Sequence, residues 1–226
     1  MDIHIVVCID EFQQIGEWAD SLTIQKRTRS VWQHQQYTSY CLFGSKKHLL
    51  ANLFQNRRMP FYHFGDTIFL KPISTNDWIP FICGKFAEKG KKISEELVCK
   101  ICTTVASHSS YVQQLAWNIM VNTETEVTDE IFQQSISELL AQCSPLFIQQ
   151  IQGLTIYQMN LIRCLCQGVR KDFTSKDVLE TYQLGSKSNI SRLKKTLVEK
   201  EIIEEEGDTI TLADPIFELW FKREYM

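Results

Sequence analysis

The sequence predicts a short α/β segment, then a small helical bundle, then a winged helix-turn-helix. Three observations predict it. A near-continuous apolar run, Ile3–Ile9, ends on two adjacent acids, Asp10 and Glu11. From about residue 74 strand signals give way to apolar residues at helical spacing. Between Thr155 and Ala213, three capped helices lead into a hairpin pattern.

The run Ile3–Ile9 reads as a strand covered on both faces, as in a parallel sheet. A helix is expected around Arg29–Gln36, then a second strand at Ser39–Phe43 closed by Gly44–Ser45. Leu49, Leu50, Leu53 and Phe54 recur at helical spacing, and Thr67–Leu70 reads as a third strand stopped by Lys71–Pro72. Ser94 is placed to cap a helix with Glu95 and Glu96 in its positive first turn. Ser110 opens the next helix, Thr128–Glu130 another, and Ser144–Pro145 a further one, with Pro at a first helical position. Thr155 caps a helix that Gly168 closes, Thr174 or Ser175 caps a short one through Tyr182, and Leu184–Ser186 turns into a helix from Lys187 to about Lys200. Ile202–Ile203 and Thr209–Ala213 form the expected hairpin around Glu206–Asp208, which gives the order of a winged helix-turn-helix. Asp214–Pro215 opens a last helix.

The chain has 226 residues, 44% of them hydrophobic, which is enough for a real core and one or two domains. With 24 basic and 27 acidic residues the net charge is −3, so no global attraction to nucleic acid or anionic membrane is indicated. Locally, Ser21–Pro60 holds no acid but seven cations: Lys26, Arg27, Arg29, Lys46, Lys47, Arg57 and Arg58. That stretch is either a solvated basic face or a surface turned to phosphates or an acidic partner. No apolar run approaches the ~18 residues that span a bilayer, and the start has no basic n-region, so a cytoplasmic chain without membrane contact is expected. The eight cysteines are scattered through apolar segments and read as reduced, buried thiols. Cys99 and Cys102 have zinc-knuckle spacing, but Cys164 and Cys166 do not, and no His pair completes a set.

Acids at the carboxyl end of a buried parallel strand are costly unless they open onto a polar crevice, and that edge of an α/β sheet is where ligands bind. The alternative is a strand ending in a solvated acidic turn. If the second strand is the neighbour of the first, Gly44–Ser45 lies beside Asp10–Glu11, and a small hydroxyl there can orient water or meet a phosphate.

The stretches CIDEFQQI, YCLFGSKKHLL and RRMPFYHFGDTIFLKPI together resemble the second half of the nucleotide-binding domain of archaeal-type AAA+ ATPases. That P-loop NTPase family, also widespread in gut Bacteroidetes, is related to the STAND and origin-recognition ATPases. The resemblance continues through HSSYVQQLA, TYQLGSKSNISRLKKTLVEKEII and ADPIFELWFKRE, and so covers essentially the whole chain. It implies a partial AAA+ core over residues 1–73 from a parallel P-loop NTPase sheet, an all-α lid over 74–153 and a winged helix domain over 154–226. It further implies that Asp10 and Glu11 form the Walker B pair, with Asp10 holding Mg2+ through water, Glu11 polarising the attacking water, and Ser45 at the sensor position. All three would contact ATP and Mg2+ in a full-length relative.

Two stretches depart from the family. Pro60–Asp66 carries an acid where relatives carry an arginine, which leaves Arg57 or Arg58 as the cation for a phosphate. Ser109–Tyr111 stands where relatives have a Gly/Pro turn. A third departure bears most on function. The phosphate loop G-x-x-x-x-G-K-[ST] does not occur: Gly84–Lys85 and Gly90–Lys91 lack both the following Ser or Thr and the earlier Gly. The first strand also starts at Ile3, with no room for that loop ahead of it. The expectation is a C-terminal portion of an ATP-binding switch that has Walker B, binds no cofactor alone and is inactive as an ATPase by itself. Its partner would be a missing N-terminal P-loop segment or another chain, with self-association through the incomplete sheet. The other reading is a stand-alone winged-helix module acting on DNA or a partner protein.

On the helix Lys187–Lys200, Ile190, Leu193 and Leu197 share the core side, leaving Ser188, Ser191, Arg192 and Lys195 outward, flanked by Lys187 and Lys194. These are candidate contacts for nucleic-acid phosphates and base edges. Against them stand Glu204, Glu205, Glu206 and Asp208 in the wing, and a near-balance of 11 cations and 12 acids from Leu154 to Met226. A winged helix used for protein contact is therefore the competing reading.

Overall fold

In the computed structural model, which describes residues 3–226, β1 (Ile5–Ile9) and β2 (Thr38–Leu42) pair in parallel, with Ile5 opposite Thr38 and Ile9 opposite Leu42. A 3-10 turn, Phe12–Gly16, and helix α1 (Ser21–Trp32) connect them, and α2 (Lys47–Gln55) follows β2. The aromatic and aliphatic residues of these connections make a small core of Phe12, Ile15, Leu53 and Phe61. Phe61 meets Phe12 edge-on at 5.3 Å between ring centroids, and Trp32 stacks on Tyr40 at 3.9 Å. Arg29 ties the loop after α2 to α1, donating to the carbonyls of Pro60 and Tyr62 and lying over the Phe64 ring.

The remaining helices are α3 (Thr75–Glu88), α4 (Glu95–Thr104), α5 (Ser109–Asn122), α6 (Asp129–Ile151), α7 (Ile156–Cys166), α8 (Lys176–Thr181), α9 (Lys187–Glu199) and α10 (Pro215–Tyr225). The hairpin β3 (Ile203–Glu206) and β4 (Thr209–Leu212) sits between α9 and α10. Its two-residue loop begins at Gly207, whose φ of 61° suits the right-handed strand twist. The chain divides into two compact units, one up to Lys71 and one of Pro72–Met226. In the second, residues of α3–α6 and of α7–α10 contribute to one continuous core. Two polar bonds bind its halves: Tyr111 donates to Asp214 at 2.6 Å, and Trp220 Nε1 donates to Ser144 at 3.0 Å. Asp214 also caps α10 by accepting from the N–H groups of Ile216 and Phe217. Burial and the Asp214 carboxylate push the Tyr111 phenol well above its ordinary value.

The fold is thus a short parallel sheet, a mostly helical remainder and a C-terminal winged helix, as the sequence predicts. Local expectations differ in several places. Thr67–Leu70 is not a strand, because strand propensity forms a ladder only where a neighbour supplies bonds, and none pairs with it among the described residues. The helix expected around Arg29–Gln36 lies earlier, ending at Trp32. Helix α3 carries Pro80 in its interior, which conceals it in the sequence. Ser144–Pro145 opens no new helix: α6 runs through Pro145. β1 is not covered on both faces, since Ile5 is 54% and Val6 63% exposed. The thiols are all free, but Cys8 and Cys41 are exposed rather than buried, facing each other across the strand register. No helix among the described residues is long and apolar enough to cross a membrane.

Candidate functional site

The parallel pairing brings the two strand ends together. The Phe43 N–H donates to the Ile9 carbonyl at 3.0 Å, and the Phe12 N–H donates to the Phe43 carbonyl at 3.0 Å. Between these two bonds the chain turns through Asp10 and Glu11. Glu11 has a φ of 49°, the left-handed region that a non-glycine residue adopts only where its surroundings hold it. Its N–H donates to Oδ1 of Asp10 at 2.8 Å.

The Glu11 carboxylate is held from two sides. Ser45 Oγ donates to Oε2 at 3.2 Å, and the Gln13 amide donates to the same oxygen. The Gln13 amide outweighs the small cost of desolvation; with Ser45's hydroxyl and N–H and the Lys46 charge, it holds Glu11 below the usual carboxylate range. Gln13 is almost fully buried, and its own Oε1 has no hydrogen-bond partner. It lies directly over Gly44, where a Cβ would come within 1.8 Å of Oε1. A side chain at 44 would therefore have to displace the Gln13 amide, a matter of close approach rather than of backbone conformation.

Glu11 and Ser45 are thus bonded at one strand edge, with Asp10 beside them in the chain and bonded to the Glu11 N–H. Gln13 and Gly44 belong to the same arrangement, although sequence reasoning did not single out Gln13. The only available signal was an amide two residues after the acids. Two carboxylates, one pre-positioned by a hydroxyl and an amide, suit a hydrated divalent cation held through water. The described residues contain no cluster of three or more metal-ligating side chains. Two carboxylates of this kind could hold Mg2+ only through its water shell, and they supply no cradle for a nucleotide's phosphates. Arg57 and Arg58 are both exposed, in the turn following α2.

On α9, Ile190, Leu193 and Leu197 are buried, and Lys187, Ser188, Ser191, Arg192 and Lys195 are exposed. Several of the outward groups are already engaged. Arg192 donates to Asn189 at 3.1 Å, Lys195 lies 3.8 Å from Glu199, and the hydroxyls of Ser186 and Ser188 are 2.9 Å apart. Lys194 instead sits over the Phe173 ring, 5.1 Å from its centroid. A polar recess of about 400 Å³ at the start of α9 is lined by Tyr157, Gly185, Ser186, Ser188, Asn189 and Arg192. In the wing, Glu204, Glu205 and Glu206 are all exposed.

Residues 145–223 match a family described as a probable winged helix domain. Among solved structures, the chain is similar to a Walker-type ATPase of Pyrococcus abyssi, with a TM-score of 0.71, 16% identity, and coverage of 97% of this chain and 63% of that one. It is also similar to the Aeropyrum pernix ORC1 protein in complex with DNA, with a TM-score of 0.50, 15% identity, and coverage of 97% and 64%. No curated protein matches. The chain spans less than two thirds of the length of either structural relative, and at these identities the likeness is one of fold.

Proposed function

We propose that this chain is the acid-bearing and winged-helix portion of an ATP-dependent switch, in which Asp10, Glu11 and Ser45 form half of a nucleotide site. The observation that carries this reading is the Ser45 hydroxyl bonded to the Glu11 carboxylate at the carboxyl edge of β1 and β2, with Asp10 next to it in the chain. The fold likeness to a Walker-type ATPase supports it. In this reading Asp10 holds Mg2+ through water and Glu11 waits as the group that orients a water. When bound, Mg2+ would neutralise phosphate charge, but the sequence has no glycine-rich loop to place phosphates there. Activity therefore needs a phosphate-holding segment that is not in this sequence, and the chain by itself is inactive.

The experiment is a titration with Mg2+ alone, followed by amide chemical shifts. Weak, millimolar shifts are expected at residues 10–13 and 44–45, and they vanish in Asp10→Asn. Shifts elsewhere, or shifts that persist in Asp10→Asn, count against the assignment.

For the output side, the winged helix and its DNA-bound fold relative support DNA as a partner of α9. Lys187, Ser188, Ser191, Arg192 and Lys195 are the contacts. The acidic wing limits this to weak, salt-dependent affinity. A gel shift at low salt that disappears in Arg192→Glu with Lys195→Glu is the expected result. No shift at low salt leaves a protein-contact role for the winged helix.

A further inference from the structure

The parallel pair of β1 and β2 has two unlike faces. On the inner one, Ile9 and Leu42 pack against the small core of the first unit, and Val7 and Tyr40 are half-buried. Side chains alternate along a strand, so Val6 and Cys8 of β1 share the outer face with Ser39 and Cys41 of β2. All four are exposed. The register sets Val6 opposite Ser39 and Cys8 opposite Cys41. Two free thiols therefore stand side by side on an open face, and the acid site uses neither. The other six cysteines all belong to the second unit.

Neighbouring strands run about 4.8 Å apart, and in a registered parallel pair the two Cβ atoms leave the sheet side by side at about that spacing. A direct disulfide favours Cβ atoms roughly 3.5–4.5 Å apart, so it would have to draw the strands together. One atom inserted between the sulfurs removes that demand. No third ligand completes a larger set. His4, on the same face, lies about 13 Å along the strand from Cys8, and its Nε2 is bonded to Ser39 Oγ at 2.8 Å. No group of three or more metal-ligating side chains occurs among the described residues. Two sulfurs alone do not suit Zn2+, which takes four ligands, or Mg2+, which takes oxygen. They suit a soft monovalent d10 ion, Cu+ above all, which is satisfied by two thiolates in line. We propose that Cys8 and Cys41 form a two-thiolate site for Cu+ that bridges β1 to β2. Binding forms two S–Cu bonds and breaks two S–H bonds; both protons pass to the buffer, and the copper stays monovalent. The bridge pins the two strands just ahead of the turn that carries Glu11 and the loop that carries Ser45.

The test uses the full chain, reduced with a phosphine and kept free of oxygen, with Cu+ as the probe and a chromogenic Cu+ chelator as competitor. Native mass spectrometry is expected to show one copper on a single chain. Cys8→Ser and Cys41→Ser, both at exposed positions, are each expected to weaken binding at least about hundredfold, because the second thiolate acts at a high effective concentration. Amide hydrogen exchange is the second readout. With free Cu+ at about ten times its dissociation constant, the β1–β2 ladder should exchange about tenfold more slowly, and neither variant should show this. Without copper both variants should exchange as the unsubstituted chain does, which separates loss of the site from loss of the fold. Copper retained in both single variants overturns the proposal, because thiols of the second unit then hold it. Copper lost in only one variant also overturns it, since a lone thiol then suffices. So does one copper shared between two chains, the mark of a bridge between copies.

Discussion

Gly44→Ala isolates the contact on which the acid site depends. The added Cβ would sit 1.8 Å from Gln13 Oε1 and 2.9 Å from its Cδ, so the buried amide must leave. Glu11 then loses the Gln13 hydrogen bond. Overpacking adds about 1–3 kcal/mol where neighbours cannot move aside. Gln13 Oε1 has no partner to lose, which offsets part of this. The expected loss is about 1–3 kcal/mol of local stability, or about 5- to 160-fold faster exchange of the β1 and β2 amides. The assay is native-state hydrogen exchange of those strands in Gly44→Ala, Gln13→Ala and the double variant. With Gln13 trimmed, Ala at position 44 has room, and its further cost should fall below about 0.5 kcal/mol. An equal cost of Gly44→Ala in both backgrounds would refute the Gln13 contact as the reason for glycine.

Alkaline stability follows from the groups whose folded values are raised. Tyr111 is pushed up from about 10, and the buried Cys164 and Cys166 are pushed up to about 12 by desolvation. Their contribution is complete below the unfolded values, near 9 for the thiols and 10 for the phenol, and is lost as pH rises towards the folded ones. Each thiol is expected to remove about 1.4 kcal/mol per pH unit above 9, and Cys164→Ala should flatten the denaturation profile there. Tyr111→Phe should lessen the loss above pH 10, while costing about 1 kcal/mol at neutral pH by removing the bond to Asp214. Under native conditions Cys8 and Cys41 should react with a thiol reagent well before Cys102, Cys164 and Cys166, which mass mapping of the labelled sites would read.

The parallel pair and its acidic end were legible because their signals are local: an apolar run, a second β-rich run and a glycine turn. Ser45 reached Glu11 because two parallel neighbours place their ends together, and that follows from pairing alone. Gln13 was not legible in the same way. Its role depends on the absence of a Cβ at Gly44, a contact made only by folding. Thr67–Leu70 failed as a strand for the complementary reason, since its β-branched and aromatic residues satisfy propensity but not the need for a partner. Pro145 misled at helix level, because a proline reads as a boundary while tertiary packing carries α6 through it. The winged helix was read correctly because its Gly185 and Gly207 turns and the Ile190–Leu193–Leu197 stripe are all short-range patterns.

The central claim is that Asp10, Glu11 and Ser45 are half of a nucleotide site, and steady-state turnover of Mg-ATP by the chain alone tests it most directly. The account predicts no turnover above background, and no difference between the unsubstituted chain and Glu11→Gln. Mg2+-dependent hydrolysis that disappears in Glu11→Gln would contradict it, because this chain would then hold the phosphates by itself.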